Sequence, residues 1–174
     1  MIKKDLKVAV LGAGAMGCLF GGLLAEKGLD VSLIDVWKEH VEAINKNGLK
    51  MDGHGGDRFI KIKATVDPKT LDKVDAIIIM CKATALEQAL INSKNIIGDN
   101  TVLMSFQNGI GHEAIMQKIA GKEKVLGGTT TQAANIIGPG NIKNHASLPS
   151  WIGEYEGGMS DRVNDVAETF TAYG

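Results

Sequence analysis

The apolar positions change their period several times along the chain, and each change predicts an element. Lys7 to Leu11 is a short β-branched and apolar run stopped by glycine, after which Met16, Phe20, Leu23 and Leu24 recur at helical spacing until Gly28 closes the turn. Val31 to Ile34 reads as a second strand, and Lys38 to Asn47 as a helix with Val41 and Ile44 on one face and Gly48 as its stop. The opening is therefore β-α-β-α, with too few residues between strands for anything but crossover helices, and such units require a parallel sheet covered by helices. The next stretch differs. Leu49 to Asp52, the turn His54-Gly55-Gly56, and Ile60, Ile62 and Ala64 alternating with Lys61 and Lys63 predict a hairpin with one solvated face.

Parallel logic resumes at Ala76 to Cys81, a continuous apolar run expected of a strand buried on both sides. Thr84 and Glu87 then form a capping-box pattern that predicts a helix reaching about Lys94. Further strands are predicted at Thr101 to Phe106 and Val125 to Thr130, with a helix from Glu113 to Ile119 between them. A second hairpin turning at Gly138-Pro139-Gly140, a late strand at Ser150 to Glu154, and a last amphipathic helix marked by Val163, Val166, Ala167 and Phe170 complete the chain. There is no internal repeat, low-complexity tract or long charge block.

Composition narrows the class. The 174 residues suit one domain with its own core, and 22% charged against 44% hydrophobic residues describe a folding chain rather than a disordered one. The net charge of −1, with Arg58 and Arg162 as the arginines, gives no electrostatic footprint for nucleic acid or an anionic membrane. Val8 to Ala25 carries no charge and follows Lys3, Lys4 and Lys7, as an export signal would. Glycines 12, 14, 17, 21 and 22 thin the apolar core that such a segment needs, so a cytoplasmic protein without a membrane partner is expected. Cys18 and Cys81 fit neither a CxxC motif nor a zinc site and read as small, reduced core residues. The outlier is glycine: 22 in the chain, nearly twice the usual share of about 7%.

Three of those glycines carry the chemistry. Gly12, Gly14 and Gly17 have GxGxxG spacing between a predicted strand and a predicted helix, where the first permits a tight turn, the second lets a pyrophosphate approach, and the third lets helix and strand pack closely. The helix N-terminus then offers unpaired amides to the phosphates. Asp35 closes the second strand, eighteen positions after Gly17, where a carboxylate can accept hydrogen bonds from ribose hydroxyls. That carboxylate repels a 2′-phosphate and Lys38 is the nearest cation along the chain, so NAD is favoured over NADP on residue chemistry alone; the competing reading is that Asp35 caps the helix that follows. The fold class is thus α/β, a Rossmann-type doubly wound and mostly parallel sheet with added hairpin strands.

Lys82 and Asn108 fall just past predicted strand ends, where such sheets bind ligands. Against this, Lys82 reads equally as a solvated lysine, and Asn108, before Gly109, as a residue that tolerates a left-handed turn. The polar run from Thr129 to Gln132 is similarly open. His112 reads as the start of a surface helix, and histidines 40, 54, 112 and 145 lack metal-ligand spacing, so no metal site is expected.

Taken together, VAVLGAGAMG, IIIMCKA, FQNGIG, GGTTTQAA, GPGNI and WIGE, in this order and spacing, resemble the ketopantoate reductases (2-dehydropantoate 2-reductases) over essentially the whole chain. The resemblance implies NADPH-dependent reduction of 2-dehydropantoate to pantoate, a small 2-keto acid substrate and a place in pantothenate and coenzyme A biosynthesis. It implies that Gly12, Ala13, Gly14, Ala15, Met16 and Gly17 hold the pyrophosphate, that Lys82 and Ala134 contact the cofactor, and that Asn108 touches cofactor and substrate. Members often carry a basic residue at the end of the second strand, where this chain has Asp35-Val36. The family's helical second domain supplies the catalytic lysine and further substrate contacts, so residues 1–174 are expected to form the dinucleotide-binding domain alone, without a catalytic residue and inactive by itself. A homodimer is compatible with the sequence. Two rival readings are a non-catalytic nucleotide-sensing module and a different 2-keto or hydroxy acid dehydrogenase.

Overall fold

Residues 6–173 are described by a computed structural model, so Lys3 and Lys4 lie outside the described residues. In chain order the elements are β1 (Lys7–Leu11), α1 (Ala15–Glu26), β2 (Asp30–Ile34), α2 (Lys38–Asn47), β3 (Leu49–Gly53), β4 (Arg58–Ile60), β5 (Lys63–Thr65), β6 (Val74–Ile79), α3 (Leu86–Asn92), β7 (Ile97–Ser105), α4 (His112–Ala120), β8 (Val125–Thr130), β9 (Ala134–Gly138), β10 (Asn141–Asn144), β11 (Ser150–Glu154) and α5 (Asp161–Tyr173). Seven strands make the main sheet in the order β11-β8-β7-β6-β1-β2-β5. Its neighbours pair in parallel except β11, which runs antiparallel to β8. The chain winds outward from β1 through β2 to β5, then returns to place β6 on the other side of β1, so the strand order reverses between β1 and β6. A ligand crevice opens at such a switch point, at the carboxyl ends of the strands.

The sheet is buried on both faces, and the strands show it residue by residue. Val8, Val10, Ala76 and Ile78 join the core under α1, α2 and α5, while Ala9, Leu11, Ile77 and Ile79 join the core under α3 and α4. That is the two-residue alternation of a strand, with apolar residues on both sides.

A second, four-stranded sheet has the order β4-β3-β10-β9, with β10 parallel to β3. Helix α1 lies between the two sheets. A Cβ on Gly21 would meet Leu33 Cδ2 of the main sheet at 2.6 Å, and one on Gly22 would meet Met51 Cε and Leu49 Cδ2 of the second sheet at 2.8 and 3.0 Å. Small residues on two sides let both sheets close on the helix. A helix that is apolar all round is a buried one, which accounts for the uncharged run that mimics an export signal. Among the described residues no helix is long and apolar enough to cross a membrane.

Three expectations are corrected. The hairpin predicted from Leu49 to Ala64 is a hairpin only as far as Ile60: β4 pairs with β3, whereas β5 crosses to the main sheet and lies parallel to β2. The alternation holds throughout, because Ile60, Ile62 and Ala64 all enter the core shared by both sheets; period specifies which face is buried, not which strand is the neighbour. Asn45 fixes the crossing, its side chain accepting from Ala64 N at 2.9 Å and donating to Ala64 O at 2.8 Å. The capping box at Thr84 is not formed. Ala83–Ala85 makes a 3-10 turn, α3 starts at Leu86 with no side-chain cap and ends at Asn92, and the fully buried Leu86 and Leu90 set its register. Finally β6 ends at Ile79, so Met80 and Cys81 already belong to the loop; Cys81 is half-buried there rather than a core residue.

Both arginines are internal staples. Arg58 Nε pairs with Glu26 Oε1 at 2.6 Å. Arg162 Nε donates to Glu154 Oε1 at 2.7 Å and its second terminal nitrogen to Oε2, while Ser160 Oγ donates to Oε1 at 2.5 Å, tying α5 to β11. These bonds, the guanidinium's first and the serine's next, lower the Glu154 carboxyl from its ordinary 4.5 to about 2. A folded-state value below the unfolded one stabilises above the unfolded value, and that stability disappears as pH falls through the folded one. Wild type is therefore expected to lose melting temperature between about pH 4.5 and 2 more steeply than Glu154→Gln. Superimposable profiles in calorimetry would remove the clamp from the account.

Candidate functional site

The crevice between β1 and β6 is built from the glycine-rich turn outward. Gly12 takes φ +100°, and a Cβ there would lie 2.4 Å from Cys81 N and 2.5 Å from Cys81 Cα, so only glycine lets the turn leave β1 against the exit of β6. A Cβ on Gly17 would lie 1.9 Å from Gly12 O, which leaves no space between helix and turn. Gly14 is the opposite case. It is exposed, it precedes the first turn of α1, and a Cβ on it would meet nothing within 4 Å.

The amides of the motif divide into two sets. Gly12 N donates to Ile34 O at 2.8 Å, and Ala13 N donates to Asp35 Oδ2 at 2.7 Å. The first helical bond runs from Cys18 N to Gly14 O at 2.9 Å, so Gly14, Ala15, Met16 and Gly17 have amides with no intrahelical carbonyl. These face the end of α1 where the helix dipole favours an anion.

Asp35 closes β2 beside the turn. Its second oxygen, Oδ1, accepts from Trp37 N at 3.0 Å. Since Trp37 itself precedes α2 and no side chain caps that helix, Asp35 joins the β2 exit to the glycine turn and is not a helix cap. Behind it lie two buried polar residues that pattern reading passed over. Cys18 Sγ donates to Ala13 O at 3.1 Å and lies 3.2 Å from His40 Nε2; Gly140 N donates to His40 Nδ1 at 3.0 Å; and the Trp37 ring stacks on the imidazole at 4.9 Å. Burial, reinforced by the charge of Asp35, pushes the Cys18 thiol up to about 12. Burial also lowers His40, against the opposing pull of Asp35 and the Ala13 carbonyl. Burial thus favours the uncharged form of both groups behind the turn.

At the exits of β6 and β7 the structure brings Lys82 and Asn108 to one rim. Lys82 is exposed and leads into the 3-10 turn that precedes α3. Gln107 links the two exits: its Nε2 donates to Cys81 O, and its Oε1 accepts from Ser105 Oγ at 3.1 Å. His112 Nε2 donates to Asn108 O at 2.9 Å and is 6% exposed, so it is a buried brace of the loop and not a surface residue. Asn108 has no left-handed backbone; among the described residues positive φ is confined to glycines, Gly109 and Gly111 included. Asn108 is exposed without the left-handed backbone that the turn explanation requires.

The other candidates separate. Ala134 opens β9, half-buried where that strand packs with the core around α1. The run from Thr129 to Gln132 lashes the segment before β11: Thr130 Oγ1 to Ser150 Oγ at 2.7 Å, Thr131 Oγ1 to Pro149 O at 2.9 Å, and Gln132 Nε2 to Leu148 O at 2.6 Å. No cluster suited to a metal ion occurs among the described residues. A cavity of about 640 Å³ opens beside Leu29, Asp30, Asn47 and Lys63. It lies at the amino end of β2, the wrong end of the sheet for the ligand rule.

Comparison with known proteins agrees with this architecture. The family described as ketopantoate reductase PanE/ApbA matches residues 8–157. A 2-dehydropantoate 2-reductase of Pyrococcus horikoshii is 40% identical over 169 residues, covering 97% of this chain and 54% of the relative, and one of Lactococcus lactis is 35% identical over 140 residues, covering 79% and 45%. Among solved structures, D-mandelate dehydrogenase with NADH and anilino(oxo)acetate has a TM-score of 0.90 at 33% identity, covering 97% of this chain and 55% of that one. The 2-dehydropantoate 2-reductase of Geobacter metallireducens has a TM-score of 0.89 at 27% identity, with 97% and 56% covered. The chain spans about half the length of the curated relatives it matches. From the glycine turn to the strand that follows the second hairpin, it belongs to the ketopantoate reductase family.

Proposed function

We propose that this chain is the cofactor-holding domain of a reductase that acts on a small 2-keto acid of the 2-dehydropantoate type, and that it takes NADH in preference to NADPH. The observation that carries the reading is the pairing of an open Gly14 and four partnerless helix amides with a carboxylate, Asp35, bonded into the same turn at 2.7 Å. That donor set and that space fit a dinucleotide. When bound, the group supplies a hydride from its nicotinamide ring to the substrate ketone.

The residues of the chain do the rest. The amides of Gly14 to Gly17 hold the pyrophosphate. Asp35, its two oxygens fixed by the Ala13 and Trp37 amides, accepts with its remaining lone pairs from the adenosine ribose hydroxyls and excludes a 2′-phosphate. Lys82 gives a positive charge at the β6 exit, and Asn108, whose backbone carbonyl is held by His112, presents an amide to cofactor and substrate. Ala134 completes the contacts from the second sheet. No residue of this chain is assigned the proton donor; in keeping with the resemblance, that role belongs to a lysine of a second, helical domain, and residues 1–174 bind cofactor without turnover. NADH in the D-mandelate dehydrogenase structure supports the cofactor assignment, and a 2-hydroxy acid with an aryl side chain, as in mandelate, is the alternative product.

Fluorescence titration of the chain with NADH and with NADPH tests the reading. Saturable, tighter binding of NADH is expected, and failure of both to bind would overturn it. Turnover of ketopantoate above a trace by this chain would overturn the assignment of the proton donor elsewhere.

A further inference from the structure

Ala13 is gripped by side chains through both peptide units that flank it. Its N–H donates to Asp35 and its carbonyl accepts from the Cys18 thiol. The thiol is itself held by an imidazole. His40 is fully buried, and because a backbone amide, that of Gly140, donates to Nδ1, Nδ1 carries no proton. The proton is then on Nε2, 3.2 Å from Cys18 Sγ. The directions are then Gly140 N–H to His40 Nδ1, His40 Nε2–H to Cys18 Sγ, and Cys18 S–H to Ala13 O, with the Ala13 carbonyl also drawing on the His40 ring directly. The relay starts in the turn between β9 and β10, passes through α2 and α1, and ends inside the glycine motif.

We propose that His40 and Cys18 are positioning residues for the dinucleotide. Acting through the thiol, His40 fixes the peptide plane that carries Ala13 O and the Gly14 N–H, the start of the row of amides, and holds Ala13 in place against the Asp35 carboxylate. The proposal rests on the dinucleotide reading above. A leucine at 40 would fill the same space but orphan the buried Gly140 N–H, and an alanine at 18 would take the thiol from the Ala13 carbonyl, so the pair ties two backbone segments together rather than only filling the core. Here every polar atom of the relay has a partner, and each partner leads to the motif. Cys18 is buried and its thiol protonated, so its part is that of a hydrogen-bond donor and not of a nucleophile.

Four variants separate orientation from packing. Cys18→Ala removes the donor to Ala13 O; Cys18→Ser keeps it. In His40→Asn the side-chain oxygen stands near Nδ1 and keeps Gly140 but loses the thiol, whereas in His40→Gln the amide nitrogen stands near Nε2 and keeps the thiol. NADH affinity is expected to fall about five- to tenfold in Cys18→Ala and His40→Asn, the loss of one buried hydrogen bond, and to return to within about twofold of wild type in Cys18→Ser and His40→Gln. Amide exchange at Ala13 is expected to quicken in the first pair and not in the second. A role in packing alone would move melting temperature without this split. Equal affinities in all four variants overturn the proposal, as does loss in Cys18→Ser equal to that in Cys18→Ala. One measurement needs no variant: nitrogen-15 shifts of His40 in the wild-type chain must report the Nε2–H tautomer at pH 7, and an Nδ1–H tautomer or an imidazolium overturns the relay whatever the variants do. If wild type binds neither NADH nor NADPH, the dinucleotide reading falls and this proposal with it; if wild type binds and the variants bind equally, this proposal alone falls.

Discussion

A Gly17→Ala chain will lose both dinucleotide binding and a substantial part of its thermal stability, whereas Gly14→Ala will lose the first and keep the second. The two glycines lie three residues apart in one motif but meet different surroundings. The added methyl at 17 would stand 1.9 Å from Gly12 O, 3.0 Å from Gly12 C and 3.2 Å from a Val10 methyl. Backbone cannot swing aside as a side-chain tip can, so the turn must reshape or α1 must lift from β1. Overpacking of this kind costs about 1–3 kcal/mol or more, which for a chain of this size lowers the melting temperature by roughly 3–12 °C. The methyl at 14 meets nothing in the protein. It enters only the space assigned to the pyrophosphate, so melting should be unchanged while NADH affinity falls by at least about tenfold, about 1.4 kcal/mol. Calorimetry and titration of the pair make the test. Wild-type affinity in Gly14→Ala would mean that no phosphate comes near the turn.

Asp35 is the second position where a large effect is expected, and the effect is on choice between cofactors. Wild type should bind NADH roughly 100-fold or more tighter than NADPH, because a phosphate beside a fixed carboxylate costs several kcal/mol. Asp35→Asn should narrow that ratio to below about tenfold, mostly by weakening NADH, since each tenfold is about 1.4 kcal/mol. Asparagine has one oxygen where aspartate has two. It can accept from Ala13 N or from Trp37 N, and its NH2 must then face the other amide. Paired titrations of both proteins with both cofactors measure the ratio. A wild-type preference for NADPH would refute the role assigned to Asp35.

Much of the architecture was legible because apolar period is a local signal. Lys38 to Asn47 and Val125 to Thr130 appear with the limits that the pattern predicts. What pattern could not carry was allegiance: β4 and β5 share one alternating run yet belong to different sheets, since strand partners are chosen by contacts far along the chain. The Thr84 box failed for a related reason, burial of Leu86 and Leu90 outweighing a cap of about 1 kcal/mol. At the candidate site, Gly12 to Gly17 and Asp35 could be picked out by type and spacing, whereas Lys82 and Asn108, left open by position, stood out only through the family resemblance. Cys18, His40, Gln107 and His112 could not. Gln107 reaches Cys81 26 positions back and His40 reaches Gly140 100 positions on, beyond any spacing rule, while His112 and Cys18 bond carbonyls four and five positions away in contacts that leave no periodic mark on the sequence.

Helix α1 has a sheet on each side and its first turn at the crevice. It is thus a party wall: neither sheet can part from it without baring an apolar surface to water, and the phosphate turn cannot move without moving the wall. Whatever grips that turn tightens both halves of the domain together. The small hairpins of the second sheet, remote in sequence from the glycine motif, therefore share in the stabilisation a ligand brings and open to solvent or protease only when the whole domain does.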